Sequence, residues 1–368
     1  MHKVLHIRSS SEMLGAERVV LELCQNSPDF GIDPIIGVPI DKSGRGIALC
    51  EAARALRISV REFPIAGPFD LGVLKKIRAY VEDNDIQIVH SHGYREDLYA
   101  TACRDSAKLI ATNHLWKRTT WRLKAYAALD AYLLRRFPRV VAVSDAIATE
   151  LQAANIDKDK ITVISNGVDL NALSQRRNGS IRSEFGLDDQ DIVLGTVSSL
   201  TSEKAVKNAI FALARCSATL PSLRLLIVGN GPEAENLRRQ ATDRGVASST
   251  IFAGRRQDIP DVLACMDLFL LPSLIEGLPM ALLEAMASGL PVIATAVGDV
   301  PKVVDSDVGV LIEPGNIDQL AVAVKKLCAD SKERYRLGQN AKQRIAEDYS
   351  SRAMTAKYAA LYDQLLSN

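Results

Sequence analysis

Short apolar runs alternate along the chain with longer stretches in which apolar residues recur at helical spacing. Each run is nearly continuous in apolar residues, as expected of parallel strands that are buried on both faces. Strands that alternate with helices indicate β-α-β units and an α/β fold. The runs that predict strands in the first half of the chain are residues 3–7, 86–90, 109–112, 140–143 and 161–164.

A second series of predicted strands begins after a polar stretch, and it comprises residues 192–197, 223–228, 250–252, 268–271 and 291–295. Because the pattern restarts, we expect two doubly wound domains, residues 1–168 and 169–350, with a ligand cleft between them at the carboxyl ends of the strands. A last helical stretch lies within residues 351–368. Its pattern fits packing on either domain, including a return to the first.

Composition agrees with this picture, since 368 residues exceed the size at which one hydrophobic core stops growing. No run reaches the ~18 apolar residues of a spanning helix. The N-terminus lacks the layout of a secretory signal, so we expect a cytoplasmic protein. A net charge of +1 gives no reason to expect nucleic acid as a partner. The six cysteines are widely spaced, and we interpret them as buried thiols rather than zinc ligands or disulfides.

The most informative segment is residues 272–294, in which a loop leads from a strand into a helix. The predicted loop contains Glu276, and the predicted helix contains Glu284. Pro279 stands near the first helical position, where its missing N–H costs nothing. The free N–H groups at such a helix start suit a diphosphate, and Glu276 and Glu284 are placed to accept hydrogen bonds from hydroxyls. Spacing alone is equally consistent with a Glu276 that only favours the helix dipole and a Glu284 on the surface.

Glu276 and Glu284, set in SLIEGLPMALLEAMASGLPVIAT, resemble the signature of the fourth family of retaining glycosyltransferases. That family has the GT-B fold, two Rossmann-like doubly wound domains that face each other across a cleft. The resemblance covers nearly the whole chain, through GAERVVLEL, IVHSHGYREDLYA, VVAVSDAIATEL, ITVISNGVD, LLIVGNGPE and DIPDVLACMDLFLLPS in the family's order. It implies that residues 1–168 bind the acceptor and residues 169–350 bind the donor.

The resemblance also implies roles for individual residues. Glu284 would hold the ribose hydroxyls of the donor, and Lys204 would grip its diphosphate and stabilise the leaving group. His114 would face the donor sugar, and Gly15 would let the backbone approach a phosphate closely. The donor sugar would be held by Glu276 with the backbone of Gly277, Leu278, Pro279 and Met280.

Two positions depart from the family pattern. The family commonly has an arginine five residues before the lysine, where this chain has Ser199, and the glycine usual after the lysine is Ala205. One phosphate-binding charge is therefore absent, or it is supplied by Lys207, Arg255 or Arg256.

Residues 116–124, from Trp116 to Lys124, hold both tryptophans of the chain together with several cations. This mixture is typical of a surface that rests on anionic lipid head groups. A solvated amphipathic helix with a core tryptophan explains it equally well. The first interpretation predicts a peripheral protein on the inner face of the membrane with a lipid-linked acceptor.

Two weaker motifs point elsewhere. The turn from Gly229 fits the dinucleotide fingerprint nominally, but Pro232 interrupts it and no acidic residue closes the next strand. His90 and His92 share a strand face, but no third or fourth metal ligand is evident, so a polar cleft lining is the better interpretation. We therefore expect neither a cofactor nor a bound metal.

The resulting prediction is a retaining, metal-independent hexosyltransferase that takes a UDP- or GDP-sugar as co-substrate. Its acceptor would be a glycan or a lipid-linked molecule of cell-surface polysaccharide or glycolipid synthesis. The alternatives are another sugar-nucleotide enzyme of the same fold, such as an epimerase, and a non-catalytic protein that binds a sugar nucleotide or glycan. Ser199 is the reason for the second alternative.

Overall fold

The computed structural model describes residues 1–9, 13, 15–67, 70–114, 121–174 and 181–367, with only the backbone at residues 121–123 and 174. The chain forms two compact units. The first contains Met1–Gly167 together with Ser351–Asn368, and the second contains Val168–Ser350.

The first unit is built on a parallel sheet, and among its described residues the strand order is β3-β2-β1-β4-β5-β6-β7. Most residues of the central strands are buried because helices cover both faces of the sheet. Its elements before the last helix are β1 (His2–Ile7), α1 (Gly15–Asn26), β2 (Ile32–Ile40), α2 (Ile47–Ala55), β3 (Ser59–Pro64), α3 (Gly72–Asp83), β4 (Ile88–Ser91), α4 (Tyr94–Ala100), β5 (Lys108–Asn113), α5 (Trp121–Leu134), β6 (Arg139–Ala142), α6 (Asp145–Ala153) and β7 (Ile161–Val163).

The second unit repeats this plan, and its described strands lie in the order β10-β9-β8-β11-β12-β13. Its elements are α7 (Leu170–Ser174), α8 (Ile181–Glu184), β8 (Ile192–Val197), α9 (Lys207–Cys216), β9 (Leu223–Val228), α10 (Ala234–Asp243), β10 (Thr250–Gly254), α11 (Ile259–Ala264), β11 (Leu268–Leu271), α12 (Met280–Ala287), β12 (Val292–Thr295), α13 (Val300–Val303), β13 (Gly309–Ile312), α14 (Ile317–Ala329) and α15 (Ser331–Asp348). The predicted α/β class with two Rossmann-like units is confirmed.

The last helix, α16 (Ser351–Ser367), belongs to the first unit, where it packs against α1. Tyr358 and Tyr362 of α16 are almost completely buried. Their hydroxyls satisfy polar side chains of the sheet: Tyr362 bonds to His90 at 2.7 Å, and Tyr358 bonds to Thr112 at 3.1 Å. The sequence did not show on which domain this helix packs. In the structure it packs on the first unit, where two buried polar contacts hold it.

The second unit begins and ends at adjacent backbone. Val168 forms a parallel bridge with Ser350, and its N–H donates to the carbonyl of Tyr349 at 2.9 Å. The chain therefore leaves the first unit and returns to it at neighbouring points.

Two further expectations concern composition. All six cysteines are buried and free, as the sequence predicted. Within the described ranges, no helix combines the length and the apolar character needed to cross a membrane.

A pair of buried carboxyls joins α4 to α5 in the first unit. Asp97 and Asp130 are both nearly inaccessible, and the Ser91 hydroxyl donates to Asp97. Burial, the charge of Asp130 and a hydrogen bond with its carboxyl raise the pKa of Asp97 well above its ordinary value. The two groups therefore titrate as a pair that retains a proton after exposed carboxyls have lost theirs.

This pair predicts a stability loss as pH rises. The folded chain keeps a proton that the unfolded chain releases near the ordinary pKa of 3.8, so the folded state loses stability from that pH up to the raised pKa. Asp97→Asn, which mimics the protonated form, should remove up to about 1.4 kcal/mol of this loss per pH unit. Urea unfolding of both chains across pH measures the difference, with the exposed Asp105→Asn as the matched control. Parallel pH profiles for the parent and Asp97→Asn would contradict the shared proton.

Candidate functional site

The two predicted donor-site residues of opposite charge lie at the switch point of the second sheet. Here β8 and β11 are neighbours, although β9 and β10 lie between them in sequence. Loops that follow two such strands diverge and leave a crevice at their carboxyl ends. Lys204 lies in the loop after β8 and Glu276 in the loop after β11. The Leu274 N–H joins the loops by donating to the Glu203 carbonyl at 2.7 Å.

Lys204 and Glu276 form an ion pair in this crevice. The Lys204 Nζ lies 2.7 Å from both carboxylate oxygens of Glu276. The Glu276 side chain is 7% exposed and the Lys204 side chain is 25% exposed. The buried Ser273 hydroxyl donates to Glu276 Oε1 at 2.7 Å and fixes the carboxylate further. The site thus holds one partly exposed cation beside one largely buried and oriented carboxylate.

A second loop supports Glu276 from behind. The Asp299 N–H donates to the Gly277 carbonyl at 3.0 Å, and the Thr295 hydroxyl donates to the Ser273 carbonyl at 2.6 Å. Gly298 has a φ of +54°, and a Cβ there would lie 2.2 Å from the Glu276 carbonyl oxygen. This close approach explains why position 298 is a glycine, which the sequence did not lead us to expect. Its position in a TAVGDVP turn was the available signal.

The helix that follows begins as the sequence suggested. Pro279 is the N-cap residue of α12, and Met280 is its first helical residue, so free N–H groups lie directly after the Glu276 loop. Leu278 is buried and anchors the loop in the apolar core. Glu284 lies in the second turn of the same helix and is half-buried.

The residue after the lysine explains one departure from the family pattern. Lys204 ends a short 3-10 turn, Ser202–Lys204, and the buried Ala205 that follows has a φ of +45°. Glycine adopts this left-handed conformation without the strain that a Cβ creates. The backbone therefore keeps the conformation that the family's glycine favours, although the side chain is present.

One of the three predicted substitutes for the missing arginine is already held in ion pairs. Ser199 is exposed. Arg256, one of the three predicted substitutes, is already paired with Asp258 at 2.6 Å and with Glu184 at 2.5 Å. Lys207 and Arg255 are exposed, which leaves these two as the accessible cations among the three candidates.

The glycines of the nominal dinucleotide fingerprint serve loop packing. A Cβ at Gly229 would lie 1.8 Å from the Ser198 carbonyl oxygen, and one at Gly231 would lie 2.4 Å from that of Leu200. The turn after β9 thus presses directly on the loop after β8. Close backbone contact accounts for both glycines without a bound dinucleotide.

Two predicted site residues belong to the first unit. His114 follows β5, its Nε2 is buried, and burial lowers the pKa of His114 to about 3. The imidazole is therefore neutral at physiological pH. Gly15 is the first residue of α1, and residues 10–12 and 14 beside it lie outside the described part of the chain.

The predicted membrane segment is described only in part. Residues 115–120, including Trp116, lie outside the described ranges, and α5 begins at Trp121 with no side chain described before Lys124. The described remainder of α5 exposes an aromatic and apolar face. Tyr126 is 40% exposed, and Leu129 and Tyr132 are each 50% exposed.

Two Rossmann-like units, one of which carries a lysine and a glutamate paired at its switch point, agree with the GT-B fold that the resemblance implied. The chain matches the model of "Glycosyltransferase Family 4" over residues 14–172 and that of "Glycosyl transferases group 1" over residues 178–344. The protein belongs to this family of glycosyltransferases, as the resemblance implied.

Three similar proteins show the range of the family. N-acetyl-alpha-D-glucosaminyl L-malate synthase of Bacillus anthracis is 26% identical over 84% of this chain and 82% of its own. The UDP-Gal:alpha-D-GlcNAc-diphosphoundecaprenol alpha-1,3-galactosyltransferase of Escherichia coli is 25% identical over 100% and 98%. Among solved structures, Anabaena HepE in complex with UDP has a TM-score of 0.85 and 22% identity, covering 99% of this chain and 100% of its own.

The left-handed Ala205 gives a direct stability test. Ala205→Gly should stabilise the fold by about 1 kcal/mol, because glycine occupies this backbone conformation without a Cβ clash. Chemical unfolding monitored by circular dichroism measures the change. Ala214→Gly, in the last turn of α9, is the matched control and should destabilise by up to about 1 kcal/mol, because glycine is less favourable than alanine in a helix. If Ala205→Gly also destabilised, the assigned strain would be wrong.

Proposed function

We propose that this glycosyltransferase moves a hexosyl group from a nucleoside diphosphate sugar, UDP- or GDP-linked, to a glycan or lipid-linked hydroxyl with retention of configuration. The ion pair of Lys204 with Glu276 at the switch point carries the proposal. The HepE structure contains UDP and the E. coli relative is named for UDP-Gal, so a UDP-sugar is the first donor to test.

On this proposal the donor separates the ion pair. The diphosphate replaces the Glu276 carboxylate beside Lys204, because its charges compete for the same ammonium. Glu276, still held by Ser273, then accepts hydrogen bonds from sugar hydroxyls. Lys204 exchanges one anionic partner for another, and the Glu276 carboxylate keeps hydrogen bonds from Ser273 and gains those of the sugar, so neither group is left without a partner.

The chemical step follows from charge placement. As the glycosidic bond breaks, negative charge develops on the leaving diphosphate beside Lys204 and the N-terminus of α12. The acceptor oxygen forms its bond to the anomeric carbon on the face that the diphosphate leaves, and the leaving diphosphate takes the hydroxyl proton, so the configuration is retained. Lys204 and the helix N-terminus neutralise the diphosphate without a divalent ion. Glu284 holds the ribose, and neutral His114 serves as a hydrogen-bond partner of the sugar.

A second candidate function is binding without turnover. The exposed Ser199 motivates it, since a charge that the family commonly supplies is absent there. A binding protein would retain nucleotide affinity and would neither transfer nor hydrolyse the sugar.

Donor binding and transfer are measured separately. Calorimetry with UDP, GDP and their sugar conjugates in EDTA gives affinity, and a radiolabelled donor panel gives transfer or hydrolysis. Lys204→Ala should reduce kcat/KM by roughly a hundredfold, the usual effect of removing one group that stabilises transition-state charge. Glu276→Gln should weaken the sugar conjugate more than the free nucleotide.

The matched control for this test is Lys325→Ala, which removes an exposed lysine of α14 in the same unit. Full-rate transfer by Lys204→Ala would refute the assigned site. Tight nucleotide binding with neither transfer nor hydrolysis would instead establish the non-catalytic function.

We also propose that the acceptor is lipid-linked and that the exposed face of α5 rests on the inner leaflet. The name of the E. coli relative includes a diphosphoundecaprenol acceptor. Just after α5, the Arg136 guanidinium stacks on the ring of Tyr132 in that helix, 4.1 Å from its centroid, and Leu129 is exposed on the same helix. An aromatic, apolar and cationic surface of this kind suits the interface of an anionic bilayer.

Vesicle flotation tests this surface. The chain should bind vesicles rich in phosphatidylglycerol and bind phosphatidylcholine vesicles weakly, because cations add attraction to anionic lipid. Leu129→Glu should reduce the bound fraction severalfold. Val322→Glu, at a position 67% exposed on α14, is the control. Equal flotation of the Leu129 variant and the parent would place membrane contact elsewhere.

A further inference from the structure

Four of the five histidines of the chain lie close to one another inside the first unit. Three of these four have ring nitrogens close enough together to bind one metal ion. His6 of β1 lies opposite His90 of β4 in the parallel register, and His92 follows β4 directly. One ring nitrogen from each of these three lies within 4.8 Å of the other two. All three residues are at most 1% exposed.

The hydrogen bonds within this histidine cluster leave ring nitrogens uncommitted. His6 Nδ1 and His92 Nε2 face each other at 3.1 Å. The other nitrogens of these two rings, His6 Nε2 and His92 Nδ1, are buried and have no hydrogen-bond partner among the described residues. Whichever ring donates across the contact, one buried lone pair has no donor to accept from. An ion between His6 Nδ1 and His92 Nε2 would replace this contact and take a lone pair from each ring, with each ring proton on the outer nitrogen.

The distances suit coordination. Two nitrogens bound to one tetrahedral zinc at about 2.0–2.1 Å lie about 3.3 Å apart, close to the separation of His6 and His92. His90 bonds to Tyr362 through Nδ1 and to Thr112 through Nε2, each at 2.7 Å. On coordination it would release one hydroxyl and keep the other, the outer contact that metal-bound histidines commonly make.

The ligand atoms also select the class of ion. The three candidate ligand atoms are imidazole nitrogens, one from each ring. Three imidazoles favour zinc, cobalt, nickel or copper, whereas magnesium and calcium require oxygen ligands. His114 lies farther off, with its ring centroid 5.7 Å from that of His92.

We propose that His6, His90 and His92 bind one zinc-class divalent ion, which ties β1 and β4 together and, through the hydroxyl retained by His90, to Thr112 or to Tyr362 of α16. The site is separate from the crevice that contains Lys204 and Glu276 in the second unit. It therefore does not rest on the proposed transfer reaction, and its role is structural.

The test uses the full chain without an affinity tag, stripped by a chelator and titrated with Zn²⁺ and Co²⁺. We expect one equivalent to bind and the melting temperature to rise with free metal, because binding to the folded state alone stabilises it. Bound Co²⁺ should show tetrahedral visible bands without the thiolate charge-transfer band that any of the six cysteines would produce. No stoichiometric binding, or a thiolate band, would overturn the proposal.

Two variants locate the ion. His92→Gln and His6→Gln should each abolish stoichiometric binding and its thermal shift. His2→Gln is the matched control, since His2 is not one of the three proposed ligands and its side chain is 38% exposed. Metal retained by a folded His92→Gln would refute the assignment. If both cluster variants fail to fold, X-ray absorption of the zinc-loaded parent decides, because the proposal requires an imidazole shell without sulfur.

Discussion

In each sheet the strand order reverses between two central parallel strands, β1 and β4 in the first unit and β8 and β11 in the second. The loops after these strands turn to opposite sides, and residues far apart in sequence meet where they diverge. Lys204 and Glu276, 72 positions apart, become an ion pair in this way. The same constraint brings His6 beside His90. Each cluster of polar chemistry is thus a consequence of one strand pairing.

The loops at the switch point keep their geometry through buried contacts rather than through regular structure. Backbone carbonyls pack where a Cβ would collide, as at Gly298, and hydroxyls such as those of Ser273 and Thr295 fix neighbouring groups. Ala205 adopts a left-handed conformation inside the same region. Conformations that are unfavourable by themselves persist at such places because the surrounding structure determines them.

The sequence predicted those strands whose apolar residues are continuous, and it missed three others for physical reasons. Strand β2 contains two prolines and a glycine, β3 is an exposed edge strand with a largely polar face, and β13 is a short edge strand beginning at a glycine. The resemblance supplied the site residues, but not their contacts. Which strands pair decides that Glu276 contacts Lys204 and that His6 joins His90 and His92. No local pattern in a single sequence encodes this pairing.

The adjacent entry and exit of the second unit at Val168 and Ser350 has a consequence for biosynthesis. A ribosome completes residues 168–350 before it makes α16, so the inserted unit can fold while its host is unfinished. Until α16 emerges, His90 and Thr112 lack the two tyrosine hydroxyls that satisfy them. Helix α16, translated after the inserted unit, therefore completes a sheet made before that unit, and a nascent chain that stops short of α16 leaves polar groups of the first unit without their buried partners and exposed to quality control.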